Sequence, residues 1–436
     1  MAGAVTPDGL AARVTGENVM KRLSVFSDIA RGHNGNRASG TAGFQASADY
    51  VAGTLRSAGF LVSTPTFDFP RFSSGPVTLS ADGENVSASV VQYSGGTGDQ
   101  TLSGRPVTIA GLGCAATDYP PTVGGSIAVI NRGSCTFTRK VAAAGKAGAR
   151  AVIIVDTEPG PAQGMTIDPG DATLPTIAVG RDLGDRVRSA ASVSLSVPAT
   201  TTTVSSRNVI AQTTAGAADD VVIAGAHLDS VPEGPGINDN GSGAAALLET
   251  AVQLGSRPDV RRAVRFAFWG AEEDGLIGST RYVASLDDDA RRAAALYLNF
   301  DMIGSPNAGY FVYDGDNSDG VGAGPGPKGS AGIERVFTRY FESRRIPVQG
   351  SDFDGRSDYG PFIEAGIAAG GIDTGAEQKK TPEQAARWGG TAGQAFDPNY
   401  HQRGDDVGYI NTAALAITAP AVAYGVATYA IGTAVE

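Results

Sequence analysis

The fold of this chain is decided by one stretch, residues 221–243, which reads VVIAGAHLDSVPEGPGINDNGSG. It begins with small and β-branched apolar residues and changes abruptly at His227 and Asp229. A continuous apolar run of this kind predicts a strand that is buried on both faces, as in a mostly parallel sheet. Asp239 follows in a turn that opens an Ala- and Leu-rich helical pattern. Because ligands bind at the carboxyl ends of the strands in such sheets, we expect these side chains to lie there.

Two later stretches repeat the pattern of an apolar run that ends in acids. They are RFAFWGAEE at residues 265–273 and LYLNFD at residues 296–301, and a polar loop near the C-terminus adds a histidine. An unpaired buried carboxylate is costly, and no lysine or arginine recurs beside these acids apart from Arg265. A divalent metal is therefore the expected partner of the candidate ligands, which are His227, Asp239, Glu272, Glu273, Asp301 and His401.

These candidates contain too many carboxylates for one zinc ion and suit two. Zinc binds histidine nitrogen and carboxylate oxygen, and Asp239 is the natural bridge because its turn is expected at the mouth between strands. Water or hydroxide between two such metals becomes a nucleophile near neutral pH. One member of the Glu272–Glu273 pair then binds metal, and the other serves as general base. Considered alone, the pair would also fit a solvated helix N-terminus, where acids are favoured.

The residues next to the two histidine ligands also have predicted roles. Asp229, two residues after His227, is expected to hold the second ring nitrogen of that ligand. Tyr400, next to His401, either packs in the interior or donates its hydroxyl to a tetrahedral oxyanion. The chain has only three histidines, and His33 is expected in a solvated loop.

The composition argues against several classes of partner. The 436 residues leave room for two domains, and 42% hydrophobic against 18% charged residues indicates a globular protein. The net charge of −11 argues against nucleic acid or an anionic membrane surface as a partner. No apolar run approaches the ~20 residues that span a bilayer, and we expect a monomer. The N-terminus lacks a signal-peptide pattern, which a secreted protein also lacks after cleavage.

The order of patterns along the chain predicts an insertion within an α/β domain. Helical spacing covers residues 15–31 and 41–58, and a strand-like run follows at 60–69. Short β runs then prevail as far as a Thr/Ser-rich linker at 197–208. Beyond it, strands and helices alternate, as in a sheet that helices cover on both faces. We therefore predict an accessory module within one larger domain, with boundaries at residues 1–74, 75–203 and 204–436.

An acidic segment, YDGDNSDGVGAGPGPKGS at residues 313–330, faintly resembles a calcium-binding loop. Its sixth position is Asp319 rather than glycine, and its twelfth is Pro325 rather than glutamate. We therefore expect a flexible surface loop here, while calcium is kept as a candidate structural or modulating ion beside zinc.

Several motifs in combination resemble a known family. They are HLDS, NDNGSG, WGAEEDGLIGS, LNFDMIG, GRSDYGPF and GGTAGQAFDPNYH, and they are similar to the secreted bacterial double-zinc aminopeptidases of the Streptomyces type and to vacuolar aminopeptidase Y. The resemblance covers residues 1 to about 70 and 205–436. It implies an α/β fold, a three-layer α/β/α sandwich with a mixed, mostly parallel sheet. It also implies two zinc ions, secretion, and substrates that are peptides with a free N-terminus.

The resemblance assigns each metal ligand. His227 and Asp301 would bind one zinc ion, Glu273 and His401 would bind the other, and Asp239 would bridge the two.

The same resemblance assigns the remaining site residues. Glu272 would be the general base, and Tyr400 the phenol that stabilises the oxyanion. Arg356, in GRSD, and Met302, in LNFDMIG, would lie at the substrate site. Asp373 stands where the Streptomyces enzyme has an aromatic residue in the pocket for the first side chain. It either turns outward to cap a turn, or it makes the pocket acidic and favours N-terminal Lys or Arg.

The middle segment resembles a second family. GCAATDYP and GGSIAVINRGSCTFTRKVAAAGKAGARAVIIVD are similar to the protease-associated (PA) domain, a small β-rich α+β domain. In that domain two cysteines commonly pair, which implies a disulfide between Cys114 and Cys135. The stretch around Tyr400 and His401 departs from the Streptomyces enzyme, because it lacks the cysteines that flank this pair there.

Two other functions remain open beside aminopeptidase activity. A carboxypeptidase or acylase can have the same fold and a PA domain, and blocking either terminus of the substrate distinguishes it. A non-catalytic, receptor-like binding protein would be expected to lose ligands, whereas this chain keeps all of them and the base. The favoured function is therefore metal-dependent hydrolysis of the N-terminal peptide bond.

Overall fold

The computed structural model describes residues 5–171, 174–320 and 322–432. The chain forms two compact units. One unit joins the chain up to Phe69 to the chain from Ser205 onward, and the other comprises Pro70–Val204.

Helices and strands follow one another along both units. The α-helices of the described residues are α1 (Pro7–Ala11), α2 (Gly16–Gly32), α3 (Ala42–Ser57), α4 (Phe137–Lys146), α5 (Arg181–Ser189), α6 (Gly243–Leu254), α7 (Ile277–Ala284), α8 (Asp288–Ala293), α9 (Ser330–Glu342), α10 (Gly360–Glu364), α11 (Pro382–Trp388) and α12 (Thr412–Ala430). The strands are β1 (Leu61–Ser63), β2 (Thr66–Ser74), β3 (Thr78–Ala81), β4 (Glu84–Asn85), β5 (Ser89–Val90), β6 (Leu102–Gly104), β7 (Pro106–Thr108), β8 (Ile127–Asn131), β9 (Ala151–Val155), β10 (Thr176–Val179), β11 (Val193–Ser196), β12 (Ala199–Arg207), β13 (Val209–Gln212), β14 (Ala217–His227), β15 (Arg262–Trp269), β16 (Ala294–Phe300), β17 (Phe311–Tyr313), β18 (Gln349–Ser351) and β19 (Ala369–Asp373).

The larger unit contains an eight-stranded mixed sheet in the order β1-β13-β15-β14-β16-β19-β17-β18. In its centre, β14 pairs in parallel with β15 and β16, and β16 pairs in parallel with β19. At one edge, β1 and β13 are antiparallel neighbours, although the whole inserted unit separates them along the chain. The parallel centre accounts for the continuous apolar run in β14, because both faces of such a strand are covered.

Helices cover both faces of this sheet. Val222, Ala224 and Ala226 of β14 belong to a core that includes residues of α2, α3, α6, α9 and α12. Val221 and Ile223 belong to a second core with residues of α7 and α10. Alternate residues of a strand point to opposite faces, so the unit is a three-layer α/β/α sandwich. The predicted fold class is confirmed.

Helix α12 is the one helix of the described residues that is long and apolar enough to cross a membrane, by length and composition only. The expectation that no apolar run approaches a membrane-spanning length is therefore wrong. In the structure, 72% of the apolar stretch of this helix is buried inside the protein. Leu415, Val422 and Val426 pack in the core of the larger unit. This packing accounts for its hydrophobicity.

The described part of the smaller unit is β-rich and contains a five-stranded and a four-stranded sheet. Their strand orders are β5-β10-β9-β8-β7 and β4-β3-β11-β6. Ala151, Ile153 and Val155 of β9 pack with residues of β3 and β11, whereas Val152 and Ile154 pack with residues of α4. Cys114, in the segment between β7 and β8, and Cys135, in the segment between β8 and α4, form the predicted disulfide.

Two segments differ from their predicted structure. The strand-like run at 60–69 divides into β1 and the start of β2. The Thr/Ser-rich segment predicted as a linker contains β12 (Ala199–Arg207). Threonine is β-branched and favours extended structure, so the composition that suggested a linker also suits a strand.

Candidate metal centre and adjoining cavity

The predicted ligands converge at the carboxyl ends of the central strands. His227 is the last residue of β14, and Asp301 directly follows β16. Glu272 and Glu273 follow the end of β15, and Asp239 lies in the turn before α6. Because β15, β14 and β16 are parallel neighbours, these side chains meet at one edge of the sheet.

Two groups of ligand atoms share Asp239. Nε2 of His227 lies 3.2 Å from Oδ1 of Asp239 and 3.4 Å from Oδ1 of Asp301. Nε2 of His401 lies 3.2 Å from Oδ2 of Asp239 and 3.1 Å from Oε2 of Glu273. Each oxygen of the Asp239 carboxylate therefore faces a different histidine.

These positions fit two zinc ions. Ligand atoms about 2.0–2.1 Å from a tetrahedral zinc ion lie about 3.3–3.4 Å apart, close to the four distances measured here. Oε1 of Glu273 and Oδ1 of Asp301 are buried, and neither has a hydrogen-bond partner among the described residues. A buried carboxylate oxygen without a partner is costly, and a cation in each group would provide one.

The charges of the centre reflect an excess of carboxylates. Burial and the neighbouring Asp239 raise the pKa of Glu273 to about 7. Burial opposes protonation of His401, yet its bonds to Asp239 and Glu273 raise its pKa to about 10. Burial also acts to raise the pKa of Asp239, but His227 and His401 hold it well below its usual range. The carboxylates thus stabilise positive charge at the histidines. Bound divalent cations would likewise balance the negative charge of the carboxylates.

The ring of His227 is oriented by the main chain of Asp229. Its Nδ1 lies 3.1 Å from the carbonyl oxygen of Asp229 and 3.8 Å from Oδ1 of the side chain. A proton on Nδ1 leaves Nε2 available to a metal. The Asp229 carboxylate instead accepts the main-chain N–H of Glu272 at 3.2 Å. Asp229 therefore lies beside the second ring nitrogen of His227, and its carbonyl oxygen makes the contact.

Asp301 is oriented by a residue to which the sequence assigned no role. The hydroxyl of Ser357 donates to Oδ2 of Asp301 at 2.6 Å. Ser357 lies within the quoted GRSDYGPF motif. A serine beside Arg356 and Asp358 carries no distinctive pattern, so only the structure identifies it.

Glu272 lies beside the ligands and belongs to neither group. Its Oε2 is 3.9 Å from Nε2 of His227. Burial raises the pKa of its carboxyl well above the usual range, His227 opposes the shift, and Asp358 and Glu273 add to it. A buried carboxyl with a raised pKa beside a metal centre is suited to accept a proton.

Tyr400 is half-buried at the wall of a cavity and does not pack wholly in the interior. Its ring stacks on that of His401, with centroids 3.8 Å apart. Burial raises the pKa of the phenol above its usual range, so the hydroxyl keeps its proton. Nη2 of Arg356 donates to this hydroxyl at 3.4 Å, and Nη1 donates to Glu377 at 2.9 Å.

The cavity that adjoins the ligands measures about 420 Å³ and includes the predicted substrate residues Arg356, Met302 and Asp373 in its wall. Asp373 ends β19, and its Oδ1 accepts the N–H of Gly375 at 3.0 Å. Its Oδ2 has no hydrogen-bond partner within the described ranges, and burial raises the pKa of the side chain to about 6. Asp373 therefore caps a turn with one carboxyl oxygen, while its other oxygen is buried beside the cavity.

The acidic segment at 313–330 brings Asp314 and Asp316 together with Glu334. Glu334 accepts two main-chain N–H groups, and Asp314 accepts those of Ser318 and Asp319. These hydrogen bonds show that the acids stabilise turns of the main chain. They do not support a calcium site.

Comparison with known proteins agrees with this geometry. The family model of peptidase family M28 matches residues 208–426, and that of the PA domain matches residues 101–187. A probable lipoprotein aminopeptidase, LpqL, of Mycobacterium tuberculosis is 49% identical over 431 residues, which cover 97% of this chain and 86% of that protein. An aminopeptidase of Pseudomonas aeruginosa is 42% identical over 461 residues, 99% of this chain and 84% of that protein.

Solved structures show the same fold. An aminopeptidase from Aneurinibacillus sp. strain AM-1 has a TM-score of 0.72 at 26% identity, and the match covers 98% of this chain and 96% of that one. A zinc aminopeptidase from Bacillus subtilis has a TM-score of 0.61 at 27% identity, with 95% and 94% covered. These matches, which extend over nearly the whole chain, show that this protein belongs to peptidase family M28 and carries a PA domain.

Proposed function

We propose that this chain is a di-zinc aminopeptidase that hydrolyses the first peptide bond of peptides and proteins with a free N-terminus. One observation carries the proposal: two groups of zinc-type ligands share Asp239, with Glu272 beside them at the wall of a cavity. The relatives described above are named as aminopeptidases, and membership of family M28 supports the same reaction class.

In this proposal the two groups hold one zinc ion each. His227 and Asp301 would bind one ion, Glu273 and His401 would bind the other, and each oxygen of Asp239 would face one of them. Bound zinc supplies Lewis acidity, which polarises the scissile carbonyl and makes water a nucleophile near neutral pH.

The chain itself supplies the proton transfer. Glu272 would take a proton from the attacking water while the oxygen of that water forms a bond to the carbonyl carbon. It would then give that proton to the amine nitrogen as the C–N bond breaks. The Tyr400 hydroxyl would donate to the oxyanion formed in between, and Arg356 supports this orientation by donating to the same hydroxyl.

We also propose a preference for N-terminal Lys or Arg. Asp373 lies in the cavity wall with one buried carboxyl oxygen that has no partner in the described part of the chain. A cationic side chain would pair with the Asp373 carboxylate at this wall, whereas a leucine would leave the carboxylate unpaired. Apolar residues of the same wall, such as Met302 and Phe311, would contact the aliphatic stem of a lysine.

The disulfide and the insertion support two further parts of the proposal. Disulfides persist in oxidising compartments, so the Cys114–Cys135 bond favours a location outside the cytoplasm. We propose the segment from 75 to 203 as an accessory PA domain inserted between two parts of the peptidase domain, 1–74 and 204–436.

The experiment that tests this function measures hydrolysis of Lys-, Arg-, Leu- and Phe-p-nitroanilide, each free and N-acetylated. It is repeated after chelation and after zinc is added back. We expect turnover of the free substrates only, loss on chelation, and recovery with zinc. A second assay uses N-acetylated peptides with a free carboxyl terminus, and turnover there alone would indicate a carboxypeptidase or acylase. No turnover in either assay would indicate a binding protein.

A further inference from the structure

The main chain that joins His227 to Asp239 is a buried loop over much of its length. Residues 234–239 are buried, as are the residues that directly follow β14. Buried N–H and C=O groups need partners inside the protein. In this loop, many of the partners come from two buried ionisable side chains, Arg37 and Asp405.

Arg37 donates hydrogen bonds to carbonyl groups of the loop. It is fully buried, and its Nε donates to the carbonyl oxygen of Pro235 at 2.9 Å. Its two terminal nitrogens donate to the carbonyl oxygens of Leu228 and Gly236. One guanidinium group therefore holds both ends of the segment that connects the two ligands.

Asp405 accepts hydrogen bonds from N–H groups of the same loop. Its Oδ1 accepts the N–H of Asn238 at 2.6 Å, and its Oδ2 accepts the N–H of Asp239 at 3.0 Å. Its own carbonyl oxygen accepts the N–H of Ile237 at 3.1 Å. Both carboxyl oxygens of Asp405 therefore act as acceptors of main-chain N–H groups.

We propose that Arg37 and Asp405 are positioning residues that clamp this loop and fix Asp239 between the two zinc sites. The inference rests on the metal centre of the proposed function. Ligands that are already in place bind a metal more tightly, because no ordering accompanies binding.

The clamp also connects the two ligand segments that are far apart in sequence. Asp405 comes shortly after His401, so its bond to Asp239 joins the loop of one ligand to the loop of another. Asp397, just before Tyr400, adds a bond from the Nδ2 of Asn238 at 2.7 Å. These bonds hold the loop that carries Tyr400 and His401 against the loop that carries Asp239.

Two conservative variants test the clamp. Arg37→Lys keeps the charge but replaces three nitrogens of a planar fork by one nitrogen, which cannot reproduce the three separate bonds to Pro235, Leu228 and Gly236. Asp405→Asn keeps the shape but turns one acceptor into an amide donor that faces an N–H. Each full-length protein is freed of metal and titrated with zinc against a chromophoric chelator, without substrate. We expect each variant to bind two zinc ions. The Kd of at least one ion should be about 10–100-fold higher than in the wild type.

The control is Glu249→Gln, which weakens a buried contact with Arg22 at 2.7 Å in the same unit. We expect it to lower the melting temperature and to leave the zinc Kd unchanged. A zinc Kd within about threefold of wild type in both clamp variants would overturn the inference, since positioning changes of this kind cost tenfold or more. Equal weakening in the control would overturn it too, because lost stability would then explain the effect. A wild-type protein that binds two zinc ions but releases no N-terminal residue would refute the proposed function and leave the clamp intact.

Discussion

The hydroxyl of Ser357 donates to Oδ2 of Asp301 across 2.6 Å. Nδ2 of Asn299 donates to the same hydroxyl at 2.9 Å, which fixes the direction of the bond that Ser357 gives. Oδ1 of Asp301 then faces Nε2 of His227 at 3.4 Å, with no other partner among the residues that the structure describes. Two hydrogen bonds therefore keep one oxygen of Asp301 available to a metal.

We expect Ser357→Ala to weaken zinc binding at the His227 site by about 10–100-fold, because the carboxylate of Asp301 loses its fixed orientation. Zinc content after dialysis against graded chelator concentrations measures the effect. Ser47→Ala is the matched control, since it removes a buried hydroxyl that donates within α3. Equal zinc retention in both variants would contradict the prediction.

Glu272→Gln is expected to lower kcat by about 10²–10⁴-fold, because the amide cannot accept the proton of the attacking water. KM for Lys-p-nitroanilide and the zinc stoichiometry should remain those of the wild type, since Glu272 is proposed to bind neither metal. Glu342→Gln, an exposed acid at the end of α9, serves as the control. A variant that loses zinc would show instead that Glu272 is a ligand.

Asp373→Asn should lower the ratio of kcat/KM for Lys over Leu substrates by about tenfold or more, as expected when a partly buried charge pair is lost. The substitution keeps the shape of the cavity, so the effect reports the charge alone. Asp373→Phe should shift the preference further toward Leu. Asp316→Asn, which removes an exposed acid, should leave the ratio unchanged, and an unchanged ratio in Asp373→Asn would disprove the proposed preference.

Replacing both cysteines by serine should destabilise the smaller unit. The disulfide joins residues 21 positions apart, and in the chain-entropy account a loop of this size is worth about 3 kcal/mol. Urea unfolding followed by far-UV circular dichroism should show an earlier transition in the variant. A midpoint equal to that of the oxidised wild type would contradict this expectation.

The convergence of the candidate metal ligands could be predicted from the sequence, because three of them lie at the end of a local pattern. His227, Glu273 and Asp301 follow apolar runs that form β14, β15 and β16. The rule that parallel strands present their carboxyl ends at one edge then places them together. Their neighbours along the chain, such as Asp229, could be identified, although not the atom through which Asp229 acts.

The clamp could not be predicted in this way. Arg37 donates to main-chain carbonyl groups that lie 191 to 199 residues further along the chain, and every residue has such a carbonyl. Asp405 likewise accepts main-chain N–H groups. A side chain whose partners are backbone groups leaves no complementary residue type to find, so only the folded structure reveals it.

The short strands β1 and β13 at the edge of the large sheet determine how the second unit is attached. Leu61 lies opposite Gln212, and Ser63 lies opposite Ile210. The chain therefore leaves the sheet and re-enters it at the same place, so the whole PA domain takes the position of a hairpin loop. The entropy lost on closing a loop grows only with the logarithm of its length. A large module can therefore occupy this position while the register of the central strands stays that of a simple hairpin.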